Sequence, residues 1–199
     1  MPLKKKEYPR QSIKKGALGG MEEGQITVFA GLFFTLFFAV VLSGYLQMEM
    51  IRSSSGYLED ALAASGLAAA LIDVREYGSS HVLRIRDAEE SYKQYCACLK
   101  ANLGLDENWE CKNKRLISGR VTLENYTIYN VTEDQVEYCR LDGGGQEWHS
   151  GSLGQVYAPN GQVVERTGTY GEISYPFLGL WGLTMQARKG KLVDVVGEN

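Results

Sequence analysis

The feature that most constrains this chain is a long stretch without charge near its N-terminus. No Asp, Glu, Lys or Arg lies between Glu23 and Glu49, and five phenylalanines occupy this stretch without leaving a polar face. As a helix rising about 1.5 Å per residue, it reaches about 37 Å, which exceeds a hydrocarbon thickness of about 30 Å. The sequence therefore predicts a transmembrane helix over residues 25 to 47.

The charges on either side of this stretch predict its orientation. Within residues 1 to 20, one acid, Glu7, is outnumbered by six basic residues: Lys4, Lys5, Lys6, Arg10, Lys14 and Lys15. Basic flanks stay in the cytoplasm. We therefore expect a disordered cytoplasmic leader over residues 1 to 24 and an extracytoplasmic domain over residues 48 to 199.

The apolar stretch has two other interpretations besides a retained anchor. A removable secretory signal also has a basic start and an apolar centre, but its apolar region is shorter, and Ser43-Gly44-Tyr45 matches a cleavage site poorly. A buried core helix is disfavoured because the stretch is apolar on all sides. The pattern favours a retained helix.

The composition of the remaining chain argues against nucleic acid as a partner. From residue 49 onward there are 21 acidic and 15 basic residues, a net charge of 15 − 21 = −6. Nucleic-acid binding depends on clustered basic residues that neutralise phosphates. The 199 residues of the chain suit one domain of ordinary size beyond the anchor.

All four cysteines follow the apolar stretch: Cys96, Cys98, Cys111 and Cys139. An even number in a translocated domain predicts two disulfides. A bond between Cys96 and Cys98 is disfavoured because residues two apart on a helix or strand point apart, which leaves two pairings open. A zinc site that uses these thiols with His149 is the alternative, although zinc sites prefer Cys-x-x-Cys.

Hydrophobic periodicity predicts helices first and strands afterwards. Apolar residues at helical spacing continue the first helix to about Arg75, and residues 87 to 103 form a second helix that ends at Gly104. Alternating segments then predict strands at residues 116–131, 135–141, 155–158, 162–169, 172–175 and 183–196. Turns are expected at Asn160-Gly161 and Lys189-Gly190. The expected fold is α+β with an antiparallel sheet.

No catalytic, cofactor-binding or metal-binding set is predicted. The two histidines, His81 and His149, follow no catalytic motif, and the glycine-rich residues 142 to 146 lack the Lys-Ser/Thr of a phosphate-binding loop. Three acids, Asp87, Glu89 and Glu90, suit a helix N-terminus. We expect no enzymatic activity and no small-molecule substrate.

Two further patterns have both structural and functional interpretations. Asn125-Tyr-Thr and Asn130-Val-Thr match the glycosylation acceptor pattern, which matters in a eukaryotic protein. Four aromatic residues, Tyr170, Tyr175, Phe177 and Trp181, lie near Pro176. Core packing is the main expectation for them, and an exposed patch for a partner is the alternative.

The N-terminal organisation resembles that of a known family. A short basic leader ending in glycine, the segment Gly24-Gln25-Ile26-Thr27-Val28-Phe29, a charge-free helix and its extension into an α+β domain are similar to TadE/TadG-like, type IV pilin-like pilus-assembly proteins. The strand, proline-containing turn and strand of residues 171 to 187 resemble the end of such pseudopilins. The likeness covers residues 16 to 75 and, more weakly, these last strands.

This resemblance implies a minor pilin or pseudopilin of a Tad-type pilus or secretion system. Its partners would be other pilin-like subunits or assembly proteins, and its location would be the bacterial cytoplasmic membrane or the cell surface. Cleavage by a prepilin peptidase would fall between Gly24 and Gln25, with Gly20 as the second choice. Pilins usually carry Glu at the fifth mature position, where this chain has Phe29, a difference that favours an uncleaved anchor or an accessory subunit.

The main alternative is a membrane-tethered binding or sensor domain unrelated to pili. It would recognise a ligand or wall component through the loops around Trp148. A tethered hydrolase is a third hypothesis.

Overall fold

A computed structural model describes residues 19–113, 117–141, 145–179 and 182–195, with side chains from residue 24 onward. The chain is α+β, as predicted. Its helices are α1 (Gly19–Ala69), α2 (Val74–Ser80) and α3 (Ala88–Leu103). Its strands are β1 (Thr122–Thr132), β2 (Gln135–Leu141), β3 (Gln146–Ser152), β4 (Gly168–Leu178) and β5 (Thr184–Asp194).

The chain divides into two compact units, residues 1 to 46 and 47 to 199. The described part of the first unit is helical and belongs to α1. Helix α1 already begins at Gly19, so the last residues of the predicted disordered leader are helical. Residues 1 to 18 lie outside the described range.

The second unit is built on a five-stranded antiparallel sheet in the order β3-β2-β1-β4-β5. The central strand, β1, pairs with β2 through a tight connection at Glu133, whose φ is 50°. Strands β4 and β5 form a long hairpin in which Phe177 lies opposite Met185. Alternation along the strands sends successive side chains to opposite faces of the sheet.

One face of the sheet holds the main core. The last turns of α1 contribute residues at helical spacing, Leu58, Ala61, Leu62 and Ala69, all of which are buried. From α3 come Tyr95, Leu99 and Leu103, and from the sheet Tyr126, Ile128 and Ile173. The opposite face carries a smaller cluster under the loop that joins β3 to β4: Tyr129, Val136, Ala158, Val164 and Tyr170.

Helix α3 confirms the predicted second helix and its ends. The Asp87 side chain accepts a hydrogen bond from the backbone N–H of Glu90 at 2.9 Å, while Glu89 and Glu90 lie in the first turn. Gly104 ends the helix with a φ of 61°. The three acids therefore have a structural role, because they complement the positive end of the helix.

Other predicted boundaries are wrong. Helix α1 ends at Ala69 rather than near Arg75, and a separate short helix, α2, follows it, capped by the Asp73 side chain. The predicted strands at 155–158 and 162–169 are a loop with one bridge, Tyr157 to Val163; only Gly168 and Thr169 enter β4. The predicted turn at Asn160-Gly161 is present in this loop. Gly161 has a φ of 83°, and its N–H donates a hydrogen bond to the Ala158 carbonyl.

The predicted turn at Lys189-Gly190 is also wrong, because β5 runs straight through it. Gly190 lies opposite Glu172 in the ladder. A Cβ atom at this position would meet the Tyr170 hydroxyl. The glycine is therefore needed to make room for a ring rather than to reverse the chain.

Helix α1 packs closely on the sheet at Gly66. A Cβ atom there would lie 2.8 Å from Thr169 Oγ1 and 2.9 Å from Val193 Cγ2, and Thr169 Oγ1 donates a hydrogen bond to the Gly66 carbonyl. We expect Gly66→Ala to lower the free energy of unfolding by about 2 kcal/mol through overpacking.

Gly56 provides the matched control for this substitution, because it lies in the same helix and an added Cβ atom would meet nothing within 4 Å. Gly56→Ala should raise the free energy of unfolding by about 0.5 to 1 kcal/mol through helix propensity. Urea titration of both variants in the same detergent measures the difference. Equal effects of the two substitutions would contradict the close packing at Gly66.

Candidate functional site

The first candidate functional element is the apolar part of α1. Within the described residues, the helix passes the length and composition requirements for a membrane span, and none of its apolar segment is buried. Phe33 and Phe37 stack along its surface with ring centroids 6.4 Å apart. A segment with these properties can be a membrane anchor or a secretion signal.

The predicted cleavage position lies inside this helix. Both Gly24 and Gln25 are exposed, and a Cβ atom on Gly24 would meet nothing within 4 Å. Phe29, one turn further on, is also exposed. Cleavage after Gly24 remains a prediction.

The two predicted disulfides are not formed in the structure, since all four cysteines are free. Their sulfur atoms contact other groups instead. The Cys111 thiol lies 3.1 Å from the Asn113 carbonyl oxygen, and the Cys98 sulfur lies 3.9 Å from Gln94 Nε2. Cys139 is buried in the main core on β2.

Burial makes two of these thiols poor nucleophiles. It raises the pKa of Cys96, although a hydrogen bond from Tyr92 and the charge of Lys100 act in the opposite direction. It also raises the pKa of Cys139. Both side chains therefore stay protonated near neutral pH. They are poor nucleophiles and poor metal ligands in this form, because the thiolate is the reactive and metal-binding species. Among the residues with described side chains, no group of three or more metal-ligating side chains comes together, so the zinc alternative gains no ligand set.

The two histidines serve different parts of the fold. His81 ends α2 in the left-handed conformation, with a φ of 57°, and its ring packs against Tyr77. His149 lies on β3, a strand that the sequence did not reveal, and its ring is 5.3 Å from that of Tyr138. No contact between the histidines is described that would make them a catalytic pair.

One concavity of the domain is an open cleft of about 630 Å³ next to Trp148. It lies between the linker that joins α2 to α3 and strands β2 and β3 of the sheet. Its lining is Arg84, Ile85, Arg86, Glu137, Trp148, His149 and Ser150. The Trp148 side chain is 42% exposed, so part of its ring is available to a ligand.

The charges of the cleft are arranged in pairs. Arg84 forms an ion pair with Glu137, and Arg86 lies 3.0 Å from Glu76 and 3.3 Å from Asp73. These carboxylates already compensate both guanidinium groups. An aromatic face beside paired charges suits a neutral, hydrogen-bonding ligand better than an anion.

Asn130 positions the linker that forms one wall of this cleft. Its side chain is 2% exposed, accepts a hydrogen bond from the Ile85 N–H at 2.8 Å and donates one to the Ile85 carbonyl at 3.0 Å. Thr167 Oγ1 also donates to the Leu83 carbonyl at 2.9 Å. Since Asn125 is buried as well, neither Asn of the two glycosylation patterns presents a free amide.

The aromatic residues near Pro176 are mainly core residues, in line with the main expectation. Tyr170 and Tyr175 are buried, and Phe177 packs against the main core. Trp181 lies outside the described residues. Three residues around the same hairpin end, Leu178, Leu183 and Met185, are exposed, and their exposure was not predicted from the sequence.

No family model, curated protein or solved structure matches this chain. The features that bear on function are the apolar helix, the cleft and the surface of the domain.

Proposed function

We propose that this protein is a non-enzymatic, membrane-anchored pilin-like subunit, a minor pilin or pseudopilin of a Tad-type pilus or secretion system. The observation that carries the proposal is the continuity of α1. One helix, Gly19–Ala69, is apolar and exposed along its first part and supplies core residues such as Leu58 and Leu62 along its last part. Pilin-like subunits combine an anchor and a domain core in a single helix in this way.

The exposed part of α1 suits such a subunit both in the membrane and after assembly. A helix that is apolar on all sides is stable in lipid, and the same surface can pack against other apolar helices when subunits assemble. Small residues in this part, such as Gly31 and Gly44, allow helices to approach closely.

The charge distribution supports an N-terminus in the cytoplasm and a domain outside it. The basic residues lie before the apolar segment, and no comparable cluster follows it closely. Phe29 at the position where pilins carry Glu favours an accessory subunit or an uncleaved anchor over a bulk filament subunit.

Two arginines in the centre of the apolar segment test the anchor. Each Arg at this depth opposes membrane insertion by about 2.5 to 3.5 kcal/mol, so Leu36→Arg with Phe37→Arg should move the full chain out of the membrane fraction. Leu67→Arg is the matched control, because Leu67 is 56% exposed on the same helix and Leu36 is 58% exposed. The control should remain with the membrane.

Protease added to spheroplasts tests the orientation of the same full chain, tagged at its C-terminus. Digestion of the domain without lysis supports the proposal, whereas protection until lysis contradicts it. The mass of the mature N-terminus then decides the processing. A start at Gln25 supports cleavage by a prepilin peptidase, and a start at Met1 supports a plain anchor.

The cleft beside Trp148 favours a second candidate function, a tethered domain that binds a wall component. An exposed indole next to polar side chains is suited to stacking on a sugar ring. Neighbouring genes discriminate between the two functions. A secretion ATPase, a prepilin peptidase and other small single-helix proteins beside this gene would favour a pilus subunit, and their absence would favour the binding domain.

A further inference from the structure

The closed end of the β4–β5 hairpin exposes apolar side chains. Leu178, Leu183 and Met185 are 39%, 65% and 52% exposed. The end is held by backbone hydrogen bonds, from Gly179 N–H to the Leu183 carbonyl at 2.7 Å and from Gly182 N–H to the Gly179 carbonyl at 3.3 Å. These bonds join the two arms of the hairpin next to the exposed side chains.

Contacts along α1 fix where this hairpin end lies on the helix. Near Ala69, the helix touches Thr169 and Val193 through Gly66. Further towards its N-terminus, Lys189 Nζ donates to Ser55 Oγ at 3.0 Å and pairs with Glu59. The hairpin thus runs along the helix, and the end of β4 at Leu178 lies near Met50 and Ile51.

The distances bring the hairpin end level with the boundary of the charge-free stretch. From Val193 to Met185 is 8 residues of strand, about 26 Å at about 3.3 Å per residue. The same distance along a helix covers about 17 residues, which leads from Gly66 to about residue 49. An apolar pocket confirms this alignment, since it is lined by Met50 and Ile51 from α1 and by Phe177 and Leu178 from the hairpin.

The basic side chains of the hairpin lie several residues from its apolar end, an arrangement that suits a membrane surface. Arg188 is exposed three residues beyond Met185, and Lys191 follows on the same strand. In the interfacial region of a bilayer, apolar side chains enter the acyl boundary while basic side chains remain with the phosphate groups. The apolar and basic residues of the hairpin are spaced for such an arrangement.

We propose that the closed end of the β4–β5 hairpin is a second membrane contact. Leu178, Leu183 and Met185 insert into the interfacial region of the bilayer that α1 crosses, and Arg188 lies among the anionic headgroups. The proposal rests on the anchor function proposed above. It assigns a lipid surface as the partner of this hairpin.

Photolabelling of the full chain from within the lipid phase tests this contact. The protein is reconstituted in vesicles of phosphatidylethanolamine and phosphatidylglycerol, labelled with a lipid-soluble aryl diazirine and digested with trypsin. The sequence gives three diagnostic peptides: residues 16 to 52 report on the anchor, 167 to 188 on the hairpin, and 141 to 166 on a distant surface. The last peptide contains comparably exposed apolar residues, Leu153, Tyr157 and Val163.

The expected result is strong labelling of the anchor peptide and labelling of the hairpin peptide at least five times that of the distant peptide. Leu183→Glu with Met185→Glu should reduce hairpin labelling to the level of the distant peptide and leave anchor labelling unchanged. The matched control, Leu153→Glu with Val163→Glu, should leave hairpin labelling as it is in the unmodified chain. The unmodified chain alone already decides the question if the charged variant fails to fold.

The other outcomes separate this inference from the proposed function. A labelled anchor with a hairpin no more labelled than the distant peptide overturns the second contact and leaves the anchor intact. An unlabelled anchor overturns the proposed function itself. A hairpin that is protected from the lipid probe but cross-links to a second copy of the chain also overturns the lipid contact and assigns the surface to self-association.

Discussion

Gly171→Ala is expected to lower the free energy of unfolding of the domain by about 3 kcal/mol, the upper end of the usual range for overpacking. Gly171 lies on β4, and a Cβ atom at this position would overlap the ring and hydroxyl of Tyr95 on α3. Tyr95 is among the most deeply buried side chains of the core and has little room to move. Thermal unfolding of the full chain in detergent should show a midpoint lower by roughly 6 to 12 °C.

A double substitution shows whether the Tyr95 hydroxyl is the source of this effect. That hydroxyl is buried and has no hydrogen-bond partner among the described residues, and burial raises its pKa, so it stays protonated. Tyr95→Phe alone should therefore be neutral or stabilising by up to about 1 kcal/mol. Combined with Gly171→Ala, it should recover part of the loss, because the alanine methyl then meets a smaller side chain.

Tyr126→Phe provides the control for removing a tyrosine hydroxyl. The Tyr126 hydroxyl lies 2.6 Å from Ser91 Oγ, so its loss should lower the free energy of unfolding by about 1 kcal/mol. Strict additivity of Gly171→Ala and Tyr95→Phe would contradict the close packing of Tyr95 on Gly171.

Asn130→Leu is expected to have a similarly large effect, lowering the free energy of unfolding by about 3 kcal/mol. The substitution keeps the size of the side chain but removes both hydrogen bonds to Ile85, leaving a buried backbone N–H and C=O without partners. Urea titration of the full chain measures the loss. Proteolysis within residues 81 to 87 should also become faster, because the linker depends on this amide.

Asn125→Ala serves as the matched control in the same strand. Asn125 is also buried, but its amide oxygen accepts from Thr127 Oγ1, a contact within β1 that joins no second segment. Its substitution should lower stability less and leave the linker protected. If both substitutions exposed the linker to protease equally, Asn130 would not be what holds it in place.

The sequence predicts the parts of this fold that depend on local signals. Helix α3 has an acidic start and a glycine end, and β2 alternates and follows a tight connection, so both were predicted close to their observed bounds. Strand β3 was missed because its residues, Gln146–Ser152, are almost all exposed and show no alternation of apolar and polar side chains. Its structure depends on pairing with β2, which a local pattern does not reveal.

Glycines and cysteines illustrate why the remaining features could not be predicted. Gly190 resembles a turn residue in sequence, whereas its role is set by Tyr170 on the neighbouring strand. The even number of cysteines predicted two disulfides, but all four thiols are free in the fold.

The candidate surfaces join residues far apart in the chain. The cleft brings Arg84 of the linker between α2 and α3 close to Trp148 of β3, and the hairpin end meets Met50. Neither neighbourhood follows from spacing along the chain. The apolar segment, in contrast, is visible in the sequence because it depends on composition and length alone.

The participation of α1 in the domain core limits where the chain can be cut to yield a soluble fragment. The first buried core residue of the helix is Leu58, and Ala61, Leu62 and Ala69 follow it. Excision between Leu46 and Tyr57 would spare these residues, whereas a cut after Leu62 would remove part of the core and expose its apolar partners to water. Release of an intact domain by proteolysis would therefore require cleavage within this short window.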